Sequence, residues 1–313
     1  MDTKTLSDSL KIRARELGFD LVGIAPAHKL ERNGKVLQEW CNAGMNADMT
    51  YMARNIEKRT DPLLLLPGTR SVIVTGLSYY VPRQQGGCEI PVLSRYAYGE
   101  NYHDVIMPRL RQIIEHIKSL VPGAESKCFV DSAPVFEKGW ASQAGLGWQG
   151  RHSILVNREM GSFFFLGVVL TSAELEYDVP GTDHCGSCRL CIEACPTRAI
   201  NENRTINAAR CISYMTIESK EPVKKESIPE IQGRIFGCDI CQEACPWNKK
   251  AAQHKHPEFN LPDEIRNMTA EEWLNLSKED FKRLFRKSAI GRMKYEVFIQ
   301  NVTNVTKHIC DLP

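Results

Sequence analysis

Eight of the twelve cysteines in this 313-residue chain fall between positions 185 and 245. Cys185, Cys188, Cys191 and Cys195 lie in C-G-S-C-R-L-C-I-E-A-C-P, and Cys238, Cys241 and Cys245 lie in C-D-I-C-Q-E-A-C-P, with Cys211 between the two runs. Thiolates at Cys-x-x-Cys-x-x-Cys spacing wrap three ligands around one iron–sulfur cubane, and a thiolate directly before proline reaches the neighbouring cluster instead. The expected pairing is therefore crossed. Cluster one takes Cys185, Cys188, Cys191 and Cys245. Cluster two takes Cys195, Cys238 and Cys241 and is one ligand short, which makes Cys211 its candidate fourth ligand. Gly186 and Ser187 are small enough to let the backbone approach a cluster closely. Two 4Fe–4S clusters held this way pass electrons singly.

The same thiols could in principle hold zinc, but paired zinc knuckles rarely use a CxxCxxCxxxCP run. Disulfides suit small secreted chains, and the N-terminus shows neither a secretory pattern nor a twin-arginine signal. The other four cysteines, Cys41, Cys88, Cys128 and Cys310, are scattered and read as ordinary thiols. Hydrophobic residues make up 42% and charged residues 25%, which suits a soluble globular protein. A net charge of +2 gives no global attraction to nucleic acid or membrane, so such contacts must be local. No run of apolar residues is long enough to span a bilayer. A cytoplasmic location is expected, and it suits oxygen-sensitive clusters.

Other elements must position a substrate against these clusters. Apolar residues at Leu6, Leu10, Ala14 and Leu17, followed by Gly18, predict a helix over 3–17. A strand is expected at 19–25, a helix at 28–44, and a strand at 71–80. A loop follows over 82–91. Ile106, Leu110, Ile113, Ile114, Ile117 and Leu120 lie on one face of a long helix. Further expectations are a strand at 127–130, a helix at 134–144, and a hairpin joining 152–156 to 162–171 around Glu159-Met160-Gly161. The fold class is thus an α/β N-terminal domain over 1–178, with a mixed sheet flanked by helices. A ferredoxin-like two-cluster domain follows over 179–256, and a short helical C-terminal segment, polar in character, over 257–313.

Outside the cysteines, no G-x-G-x-x-G follows the first strand, so a dinucleotide site of that type is unsupported. The glycine-rich run Ala144–Gly150 reads as a turn that lets backbone come close to something flat. Asp131 ends an apolar strand. It is either a cleft carboxylate with a raised pKa, able to donate a proton, or an N-cap for the next helix. His103 and His152 are weaker candidates and read by default as structural. Arg59, Arg95 and Arg151 read by default as surface residues, or as anion holders if they line a cleft.

Taken together, the segments E-K-R-T-D-P (57–62), S-R-Y-A-Y-G-E-N-Y-H-D (94–104), V-D-S-A-P-V (130–135), A-G-L-G-W-Q-G-R-H-S (144–153), G-S-F-F-F-L-G (161–167), R-C-I-S-Y-M-T (210–216) and G-C-D-I-C-Q (237–242) resemble the epoxyqueuosine reductases. The resemblance implies a base-off cobalamin between the N-terminal and cluster domains, reduced through the clusters. It also implies reduction of epoxyqueuosine to queuosine in the tRNA anticodon stem-loop. Asp131 would be the proton donor. Arg59, Ser94, Asp131, Leu155, Leu166, Ser213 and Asp239 would line the cobalamin, and Lys220 would contact tRNA. Lys224, Lys225, Arg234 and the basic 282–294 run are either phosphate holders or a solvated face. An external electron donor is required, and the resemblance leans toward a monomer. Some members carry C-terminal HEAT-like repeats, which this sequence lacks. The competing readings are a corrinoid-dependent reductive dehalogenase, which shares the corrinoid and paired-cluster plan, and an electron carrier without a substrate of its own.

Overall fold

A computed structural model describes residues 2–85 and 90–310. Cys88 and the Cys310 side chain lie outside the described part, as do residues 86–89 of the expected 82–91 loop. Helix α1 (Thr3–Glu16) is capped by the Asp2 carboxylate, and strand β1 (Leu21–Pro26) follows. Next come α2 (Glu31–Asn42) and the short α3 (Thr50–Ala53) and α4 (Ile56–Thr60). The chain then enters β2 (Ser71–Ser78), β3 (Val92–Leu93), α5 (Tyr102–Leu120) and β4 (Ser126–Phe129). Helix α6 (Glu137–Gln143), the two-residue strands β5 (Trp148–Gln149) and β6 (Leu155–Val156), and β7 (Phe164–Thr171) complete this half.

The central sheet has the order β1-β2-β7-β4, and each pairing is antiparallel. Both of its faces are covered. Along β2, Ile73 and Leu77 point to a core shared with α1 and α5, whereas Val72 and Val74 point to a second core with Leu30 and Trp140. That alternation is the strand's two-residue period, and burial on both faces explains why β2 reads as a continuous apolar run.

The hairpin expected at 152–171 does not form. β6 pairs with β5, while β7 runs between β2 and β4 as a central strand. Only an Asn157–Gly161 bridge remains of it. Burying Phe164, Phe165, Val168, Val169 and Leu170 on two faces outweighs the local gain of a hairpin. The helix expected from 134 starts at Glu137, because the Val135 and Phe136 amides before it bond to the Ala133 and Arg59 carbonyls instead.

The cluster half holds α7 (Leu190–Ala194), α8 (Ile228–Ile231), β8 (Arg234–Phe236) and α9 (Ile240–Glu243). β8 pairs in parallel with β3, which joins this half to the N-terminal half. After it come α10 (Asp263–Arg266), α11 (Ala270–Leu274), α12 (Lys278–Phe285) and α13 (Tyr295–Cys310). These last helices are polar only outwardly. Trp273, Phe281, Phe285 and Phe298 are buried in one core with Leu93, Tyr98, Ile212, Ile231 and Phe236. The C-terminal helices therefore brace the walls of the site. No helix among the described residues is long and apolar enough to cross a membrane.

Candidate functional site

The thiols gather as two groups. Cys185, Cys188, Cys191 and Cys245 line a single pocket with Arg151, His152, Pro246 and Trp247. Burial raises the Cys191 thiol to about 11, with the charges of Cys245, Cys185 and Cys188 adding to it. In the second group burial pushes Cys241 far up, and the charges of Cys238, Cys211, Cys191 and Cys195 act in the same direction. Cys211 also feels Cys195 and takes a hydrogen bond from Ser213. The grouping is the crossed one, with Cys211 beside Cys195, Cys238 and Cys241. No three His, Cys, Asp or Glu side chains among the described residues close to single-ion spacing, and none of the described cysteines is in a disulfide. Such spread-out thiolates suit a cubane. The first group is bordered by a loop in which His184, Gly186 and Ser187 are exposed. There Trp148 Nε1 donates to Cys185 Sγ at 3.3 Å and packs edge-on against Trp247 and His184.

The second group is walled by a buried ionic network. The Asp239 carboxylate accepts from the Ser94 hydroxyl, from the Arg95 amide at 2.9 Å and from the Arg95 guanidinium at 3.0 Å. Glu243 takes a further bond from Arg95 at 2.8 Å. Arg95 is only 7% exposed, so its default reading as a surface residue fails. Ser94 and Asp239 come together as neighbours of the cage, with their polar atoms spent on each other and on Arg95. Gly237, at φ +72, allows this contact, since a Cβ there would stand 2.5 Å from Ser94 Cβ. Removing one partner of such a buried pair costs about 3–5 kcal/mol.

Asp131 lies across from this wall. The chain leaves β4, buries Val130, and places Asp131 in the left-handed region at φ 54. Ser132 N–H donates to Val130 O at 2.6 Å, which closes a three-residue turn centred on Asp131. Tight turns of this kind are strained by about 1–3 kcal/mol and persist only when their surroundings hold them. The carboxylate is not an N-cap. Its Oδ2 accepts from the Tyr102 hydroxyl at 2.7 Å and lies 3.6 Å from His103 Nε2. Tyr102 is itself fixed by stacking on Phe165 at 4.4 Å.

The electrostatics differ from expectation. Asp131 sits below the usual carboxylate range, chiefly through His103, with Tyr102 and Arg292 adding and burial opposing. The raised carboxyl is Glu137, pushed to about 8 by burial and then by the charge of Asp131. Sequence reasoning passed over Glu137, and only its place six residues on, in the first turn of α6, gave a signal.

Tyr96 links the two walls, stacked on Phe236 and within reach of the charges of Asp131 and Asp239. Tyr51, Arg59, Glu218 and Arg292 border the same space. The Arg59 Nε is buried without a partner among the described residues, a donor that a ligand could take. Ser213 is half-buried beside Cys211, whereas Leu155 is buried in the core and Leu166 is half-buried against it. Lys220, Lys224 and Lys225 are exposed. Arg234 is not a surface phosphate holder; it is buried near Glu243.

Three of the six basic residues in the 282–294 run are paired. Arg283 binds Glu264 and Asp280, Lys287 binds Glu100, and Arg292 binds Glu218 beside the site. His152 is buried and kept neutral, its imidazole pushed down to about 4 by burial and by Lys138. Arg151 reaches the Gly186 carbonyl near the first cage. The glycine-rich run approaches its own chain, since a Cβ on Gly147 would meet the Val156 carbonyl at 2.0 Å.

Residues 184–248 match the family model for a 4Fe-4S double cluster binding domain, and residues 59–132 match that for epoxyqueuosine reductase QueG. The epoxyqueuosine reductase of Cellulophaga algicola is 41% identical over 96% of this chain and 99% of its own length. A crystal structure of epoxyqueuosine reductase with an epoxyqueuosine-modified tRNA-Tyr stem loop superposes with a TM-score of 0.89 at 30% identity, covering 98% of this chain and 82% of the other. The Bacillus subtilis enzyme, with its aspartate-bearing catalytic loop swung out of the active site, gives 0.87 at the same identity and coverage. The layered α/β half, the double 4Fe–4S domain and the helical C-terminus are those of its relatives, and the chain belongs to the epoxyqueuosine reductase family of oxidoreductases.

Proposed function

We propose that this protein reduces epoxyqueuosine to queuosine in the anticodon loop of tRNA. The observation that carries the reading is Asp131, presented by a strained turn to Tyr102 and His103 and facing the wall of the second thiol cage across Tyr96. The reaction takes two electrons and two protons, breaks both C–O bonds of the epoxide and releases water. The clusters supply electrons singly from an external donor, the group beside the exposed His184–Ser187 loop receiving them first and the group beside the Asp239 wall passing them on. Cobalamin would be held between these walls. Arg59, with its orphaned Nε, and Ser213 would hold its polar edge, Leu166 its apolar face, and Ser94, Asp239 and Leu155 would back these contacts. Bound there, it supplies the low-valent metal centre that opens the epoxide.

The chain's own residues manage the proton. Asp131 is ionised at rest, so its acid form arises by taking a proton from His103 as the substrate oxygen gains charge, while the Tyr102 hydroxyl holds the carboxylate in place. Arg292, paired with Glu218, and the exposed Lys220 would meet tRNA phosphates. A monomer working in the cytoplasm is the form proposed. The test is to incubate the cluster-loaded protein with cobalamin, a strong reductant and RNA carrying epoxyqueuosine, then look for queuosine by mass spectrometry. Queuosine is the expected product, and its absence with both clusters intact would sink the reading.

A further inference from the structure

The turn that carries Asp131 has one outside tether on its backbone. The Asp131 N–H donates to Glu137 Oε1 at 2.6 Å. Glu137 lies in the first turn of α6 and enters no ion pair among the described residues. The next backbone amide along the turn is already spent, Ser132 N–H on Val130 O. Among the described residues, the Glu137 carboxyl is therefore the hydrogen-bond link between the turn's backbone and α6.

We propose that Glu137 is the positioning residue of the acid turn: by accepting the Asp131 amide, its carboxyl holds the Asp131 side chain against Tyr102 and His103. The turnover arm of this proposal rests on the function proposed above. The charged groups facing Glu137 are Asp131 from the turn, Arg59 from α4 and Lys138 from its own helix. Burial and the Asp131 charge keep the Glu137 carboxyl protonated up to about pH 8. Below that, a neutral carboxyl receives the amide and puts no second charge beside Asp131. Above it, an ionised Glu137 stands beside the Asp131 carboxylate and the two repel each other, which loosens the turn and sets an alkaline limit on turnover.

Two substitutions separate the roles. Glu137→Gln keeps an acceptor oxygen and is uncharged at every pH, whereas Glu137→Ala removes the acceptor. Hydrogen exchange across residues 130–136 and single-turnover reduction of epoxyqueuosine RNA would be followed from about pH 6 to 10 in the reconstituted protein. Glu137→Ala should exchange faster at the turn and turn over about 10- to 100-fold more slowly, with iron content and RNA affinity unchanged. Glu137→Gln should keep wild-type protection and rate at neutral pH and lose the alkaline limb. Wild-type protection and rate in Glu137→Ala would overturn the proposal, and so would an alkaline limb surviving in Glu137→Gln. If Glu137→Ala does not fold, the pH profile of Glu137→Gln decides. If wild type fails to act on the RNA, the function falls while the exchange arm still judges the tether.

Discussion

The thiol cages and the acid turn hold their chemistry in opposite ways. Each cage starts from cysteines at Cys-x-x-Cys spacing and is completed by thiols from elsewhere in the chain, and the wall of the second is buried, as the Ser94–Arg95–Asp239–Glu243 network shows. The acid turn presents one carboxylate, with its side chain 57% exposed, on left-handed backbone held by a few hydrogen bonds. The cages do not need to move, because electrons hop between fixed sites. The turn must meet a bulky RNA and release it, so a small set of reversible contacts suits it.

That contrast can be broken from either side. The largest expected effect is on the turn: Asp131→Asn should lower single-turnover reduction by about 10²-fold or more while leaving iron content and unfolding unchanged. Near-normal turnover would remove Asp131 from the proton-handling role. Next, Cys211→Ala should take one cage apart and spare the other, so iron falls from about eight to about four atoms per chain. Full iron by chemical analysis would mean that another residue completes the second set. A smaller change belongs to the wall. Arg95→Leu should leave the Asp239 carboxylate buried and unpaired and cost about 3–5 kcal/mol in denaturant unfolding of the loaded protein. A loss no larger than that of an exposed ion pair would show that water relieves Asp239.

The cysteine pattern was readable from the chain because ligand spacing is local: Cys-x-x-Cys places its thiolates by itself, and the deficit in the second run pointed to Cys211. Helices α1 and α5 were readable for the same reason, from apolar residues spaced three and four apart. The fate of 162–171 was not. A run of Phe, Leu and Val serves a hairpin or a central strand equally well, and only the faces offered by α5 and α6 decide between them. The polar look of 257–313 misled similarly, because a few buried aromatic residues were enough to make those helices part of a core.

Asp131 shows the same limit in the chemistry. By itself the sequence determined that a carboxylate ends an apolar strand, that eight thiols form two sets, and that the segments around them are those of one enzyme family. Tertiary structure decided the charges: which carboxyl is ionised, that Arg95 is a buried partner of Asp239, and that Arg292 from the far end of the chain stands beside Asp131. Electrostatic energies depend on distance and burial across the fold, and neither is written in the order of residues.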